Sequence, residues 1–159
     1  MKSLNPGAYT VVLAGKGGTT GVGLVEVYDL DLTVDSKLAN ISTRGFVDRG
    51  DNVLIGGTIV VGSGSTNVLF RALGPSVPGV PNALLDPTLE LHDSQGNTIA
   101  TNDNWRDSQA AEIKATTIPP PDLREAAILR QLTPGAYTVI VRGKNNTTGV
   151  ALIEAYQLN

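Results

Sequence analysis

Cysteine is absent from the 159 residues, so disulfides and thiolate metal sites are excluded. Histidine occurs once, as His92, and a hydrolytic triad would have to be built on it. No G-x-S-x-G elbow accompanies it. His92 therefore reads as a structural or solvent-facing side chain, and one imidazole gives little basis for zinc. Charged residues make up only 17% and the net charge is −3, with no basic block, so nucleic acid is not an expected partner. No apolar run approaches the ~20 residues of a membrane-crossing helix, and membrane insertion is not expected. Lys16-Gly17-Gly18 lacks the spacing and the following helix of a phosphate loop. Aromatics are 4%, and Trp105, in a polar loop, is the sole candidate for stacking on a sugar. It reads rather as a lid over one end of the fold.

What is present is glycine (18), proline (9) and 41% hydrophobic residues. Many turns and few helix formers point to an all-β sandwich or barrel. One stretch occurs twice. Residues 4–31 and 132–159 align without a gap at an offset of 128, with 17 of 28 positions identical. Each copy opens on Pro-Gly and continues as a β-branched run, AYTVVL or AYTVIV, suited to a strand. The connection carries Gly17-Gly18 in one copy and Asn145-Asn146 in the other, an exchange that suggests left-handed backbone. Val150 to Leu158 reads as the return strand of a β-hairpin, with both faces partly covered. All four tyrosines lie in the two copies and read as core. Glu154, and Glu26 in the first copy, reads as a charge that protects an edge strand, the alternative being a cation ligand.

Between the copies, strands are expected at 38–44, 53–61, 67–72, 88–92 and 98–101. Gly56-Gly57 suggests a bulge or bend in the second of these. The four prolines of 74–87 mark a stiffened loop, and 93–97 a turn. Residues 108–115 suit a helical turn or two with Ser108 as cap. Strands at 127–132, 136–141 and 150–158 complete about eight, a jelly-roll-like two-sheet β-sandwich with an extra N-terminal hairpin. Residues 1–31 form the surplus hairpin and 32–159 the sandwich, joined by the polar stretch 29–36.

Asp93, Asn97, Asn102, Asp103, Asn104 and Asp107 supply hard oxygens of the kind calcium prefers, without the EF-hand spacing. Asp93, Asp103 and Asp107 are thus the calcium candidates, weighed against turns in which such side chains bond their own backbone. No cofactor is expected otherwise. Asn40-Ile41-Ser42 and Asn145-Asn146-Thr147 match the glycosylation acceptor pattern and are discounted as short chance matches.

Residues 86–158 (DPTLELHDSQGNTIATNDNW … ILRQLTPGAYTVIVRG … GVALIEAYQL) resemble the bacterial pre-peptidase C-terminal domain. Residues 38–75 resemble the first half of a repeat found in large secreted bacterial proteins. The resemblance implies an exported, non-catalytic module, in tandem arrays or appended to secreted enzymes. Such members act in attachment, substrate contact or assembly. The chain reads as an excerpt of a longer exported protein, extracellular or at the cell surface, with its export signal elsewhere.

A single domain has no need of a second closing hairpin, and an isolated hairpin is marginal in water. It is expected to pack as a pseudo-symmetric pair with its copy, on an edge of its own domain, or on a second chain, by edge addition or by exchange for that chain's own hairpin. The third course gives a structural, self-associating repeat module whose partners are copies of itself, in a ring, dimer or filament. Tyr9, Val11, Leu13, Leu24 and Tyr28 are the expected contact residues. A period of 128 exceeds any solenoid unit and fits beads of whole domains. The alternative is an accessory module of a secreted hydrolase, binding peptide or a cell-surface or matrix polysaccharide.

Overall fold

Alternation of apolar and polar residues between Gly, Pro and Asn turns writes eight strands. In the computed structural model, which describes residues 2–30 and 38–158, they are β1 (Asn40–Val47), β2 (Leu54–Val60), β3 (Thr66–Leu73) and β4 (Pro87–His92). β5 (Thr98–Asn102), β6 (Ala126–Leu132), β7 (Gly135–Gly143) and β8 (Gly149–Leu158) follow, with one short helix, α1 (Ala110–Ala115), before β6. The chain divides into two compact units, Met1–Leu38 and Ala39–Asn159. Most of the joint expected at 29–36 lies outside the described residues.

The second unit is a sandwich of two four-stranded antiparallel sheets, ordered β1-β8-β3-β6 and β2-β7-β4-β5. Phe70, Leu89, Leu91, Val139, Val141 and Ile153 meet between them, all nearly or fully buried. β3 is buried on both faces, because Leu69 and Ala127 on the outer side of the first sheet are covered by Trp105 and Ile113. Trp105 is 2% exposed, and its indole N–H donates to the Asp122 carbonyl at 3.1 Å. It covers the outer side of the first sheet rather than one end of the sandwich, and so deeply buried it offers no ring face for a sugar.

Four expectations change. β7 and β8 are not a hairpin. β7 lies between β2 and β4 in one sheet, and β8 between β1 and β3 in the other. The repeated stretch is therefore an arch that crosses the sandwich and supplies a central strand to each sheet. Glu154 guards no edge, since β8 is interior. Gly56-Gly57 makes no bulge, because β2 pairs with β7 in unbroken register. Gly56 is needed for close approach instead: a Cβ there would come within 2.9 Å of the Ile153 Cγ2. Ser108 does not cap α1; Gln109 takes that position in left-handed backbone, with no side-chain cap bond.

Polar groups tie the loops to this frame. Glu125 is fully buried, and its carboxylate accepts from the Gly74 and Ser76 amides at 2.9 and 3.0 Å. The Ser76 hydroxyl at 2.6 Å and the Asp122 amide at 3.1 Å complete its set. Asn102, nearly buried, accepts from the Ala127 amide and donates to the Asn104 carbonyl.

Candidate interaction site

The loop of each arch is fixed by its own residues. In the resident arch, the 3₁₀ turn Lys144–Asn146 places Asn145 and Asn146 at φ 56° and 59°. In the first copy, the turn Lys16–Gly18 places Gly17 and Gly18 at 66° and 79°, as the Gly–Asn exchange implied. Thr147 and Thr19 close the two turns alike, each hydroxyl donating to the carbonyl of the lysine three residues before it. Tyr28 donates to Glu26 as Tyr156 does to Glu154, both at 3.0 Å. Tyr9 reaches back to the Asn5 carbonyl as Tyr137 does to Thr133. Leu13 lies over Gly23, where any side chain would overlap it. The equivalent pair in the resident arch is Val141 and Ala151, so a larger residue is matched by a smaller one.

The surroundings differ completely. Val139, Val141 and Ile153 are 1%, 0% and 3% exposed, whereas Val11, Leu13 and Val25 are 67%, 60% and 46% exposed. Leu24, Tyr9 and Tyr28 are exposed as well, so the reading of all four tyrosines as core fails for these two. Every described residue from Lys2 to Leu30 is exposed, and none of them pairs as a strand. Burying a valine or leucine contributes about 1.5–3 kcal/mol, so Val11, Leu13 and Leu24 together forgo on the order of 6 kcal/mol in water. All five expected contact residues stand on this one exposed ribbon. Phe46 on the edge strand β1 of one sheet, and Ile55, Ile59 and Val61 on and just after the edge strand β2 of the other, are exposed as well.

The central strand β8 carries a buried ion pair absent from the expectations. Glu154 accepts from the Arg71 Nε at 2.9 Å and from its Nη2, with both side chains about a tenth exposed. Arg71 also donates to the Ile118 carbonyl at 2.9 Å and lies 5.0 Å from the Tyr156 ring centroid. Burial, then the Glu154 charge, raises the Tyr156 pKa. A lone arginine in the apolar run NVLFRAL was the available sequence signal for this pair.

The calcium candidates are spread over two loops. Asp93 accepts from the Gln95 and Asn97 amides and the Asn97 side chain, and the Asn97 side-chain bond leads in lowering its pKa. Asp107 accepts from Asn104 at 2.9 Å. Asp103 binds the Lys144 ammonium at 2.6 Å, with Asp86 3.8 Å from the same nitrogen, and the bond to Asp103 raises the Lys144 pKa. Among the described residues no three acidic or imidazole side chains converge as metal ligands would. The oxygens of Asp86 and Asp103 are the nearest approach to a cation site, and an ammonium already lies between them.

His92 stands on the hairpin β4–β5, with Nε2 3.2 Å from Glu90 and Nδ1 3.3 Å from the Gly96 carbonyl. Glu90 in turn pairs with Arg142. A surface hollow of about 430 Å³ is lined by Asn67, Glu112, Ala115, Thr116, Leu129 and Leu158, away from His92.

No family model and no curated protein matches the chain. Among solved structures, it is similar to the pre-peptidase C-terminal domain of a collagenase from Bacillus anthracis. The TM-score is 0.47 and the identity 16%, over 73% of this chain and 88% of that one.

Proposed function

We propose that this chain is a non-catalytic structural module of an exported repeat protein, and that copies of it associate through the N-terminal arch. One observation carries the reading: a sequence that is buried at the centre of both sheets in one copy is laid open to water in the other. A ribbon with so many exposed apolar side chains is covered by something in solution. A second copy brings the same ribbon and the open sheet edges at β1 and β2, so an interface repeats from chain to chain. Such a contact gives a filament when it does not close and a ring or dimer when it does. Exchange of arches between chains is not what drives it. Each chain holds one six-strand framework and two arches, so exchange leaves one arch per chain outside. The contact is therefore arch against arch, or arch against a sheet edge.

The exported, extracellular setting and the tandem arrangement rest on the family resemblance of residues 38–75 and 86–158. No cofactor enters this reading, and the aspartates serve as turn and lysine partners. Replacing Val11 and Leu24 by aspartate tests it: sedimentation of the intact chain falls to the monomer value. Unchanged assembly in that variant refutes it.

A further inference from the structure

We infer that residues 4–30 are a second closing arch for the framework β1–β6, able to take the two central positions that residues 135–158 occupy. The first copy keeps residues that those positions demand although they lie exposed in its own unit. Gly149 must be glycine, because a Cβ there would meet the backbone of Leu84 at 2.7 Å and the Asn82 carbonyl at 2.8 Å. Gly21, its counterpart, has open space around it and no positive φ, and is glycine all the same. Glu26 is exposed, yet it is the residue that Arg71 would require opposite it in β8. Lys16 repeats the lysine that Asp86 and Asp103 hold at 144. Val11, Leu13 and Leu24 keep the apolar pattern of Val139, Val141 and Leu152.

Chain connection permits the replacement within one molecule. β8 ends beside the start of β1: Tyr156 pairs with Asn40, and the Gln157 amide donates to the Ala39 carbonyl at 3.2 Å. Leu30 corresponds to Leu158, and seven residues separate it from Leu38. Seven residues are ample to turn between adjacent antiparallel strands. The arch then precedes β1 instead of following β6, which makes the alternative a circular permutant of the same sandwich. A short tether also gives an effective concentration that a second chain does not match. The resident arch fits better. Val25 replaces Ile153 and Gly23 replaces Ala151, and Ala14 lacks the bonds of Arg142 to Gly50 and Glu90. Residues 135–158 therefore close the sandwich, and 4–30 stand in reserve. Closure by 4–30 releases the C-terminal arch, so one arch is presented to other copies in either state.

The test uses the whole chain with Val139→Asp and Ile153→Asp, which disable the resident arch. The expected variant is a monomer with one cooperative melting transition, its Tm lowered by roughly 10 °C. Amide protection moves from residues 136–158 to 8–30. Val11→Asp with Val25→Asp alone leaves amide protection on residues 136–158, and all four changes together abolish the transition. An unfolded double variant overturns the inference. So does one that folds only as a dimer, or a fourfold variant that still melts cooperatively. Self-association is judged separately, on the mass of the unmutated chain, so either idea fails without the other.

Discussion

The Arg71–Glu154 pair allows a worked test of how the sandwich is held. Arg71→Met leaves the carboxylate in the centre of the first sheet with Tyr156 as its only remaining hydrogen-bond partner among the described residues. Breaking such a buried pair from one side costs about 3–5 kcal/mol. For a sandwich of this size that lowers the Tm by about 12–20 °C, at about 4 °C per kcal/mol. Adding Glu154→Leu removes the stranded charge, and an apolar pair in place of a buried ion pair is close to neutral. The Ile118 carbonyl still lacks the Arg71 donor, at about 1–2 kcal/mol. The double variant is therefore expected only about 4–8 °C below the parent. Calorimetry and urea unfolding of all four members of the cycle give the interaction free energy. Two single losses that add in the double variant would refute the reasoning, as would a loss below about 1 kcal/mol for Arg71→Met, the value of an exposed pair.

Acid stability depends on Asp122, whose pKa the Arg124 side-chain bond chiefly lowers, from 3.8 to about 2. A folded value below the unfolded one contributes stability present above pH ~4 and lost as pH falls toward 2. Arg124→Ala should flatten that limb of the stability–pH curve, as unfolding by urea at each pH would show. Gly149→Ala is expected to cost more than 1 kcal/mol through overlap with the Leu84 and Asn82 backbone, whereas Gly21→Ala leaves the melting curve in place. Millimolar calcium should leave the Tm unchanged, since Lys144 already neutralises Asp103; a rise of more than about 2 °C contradicts this.

Most strands were legible because periodicity is local. The run TLELH and the alternation of AYTVIV carry their burial pattern in the residues themselves. β1 runs past the expected end to Val47 because Gly45, Phe46 and Val47 pair with Ala151, Val150 and Gly149 of β8, partners more than 100 residues away in sequence. The arch reads as a hairpin in sequence because two adjacent strands joined by a turn look the same whether they pair or cross between sheets. Sheet order is set by strands far away in sequence, β2 and β4 on one side and β1 and β3 on the other. The hub at Glu125 gave no signal at all: its four donors come from backbone at 74, 76 and 122 and one hydroxyl. Exposure of the first copy was equally hidden, since its sequence is that of a core element and its partners are strands that another arch already fills.

The mass of the intact chain, measured by light scattering over a range of concentrations beside the chain lacking residues 1–31, bears most directly on the proposed association. Particles larger than one chain that grow with concentration, and a monomer once the first 31 residues are gone, are the expected result. A strict monomer at every concentration, unchanged by the deletion, would contradict it.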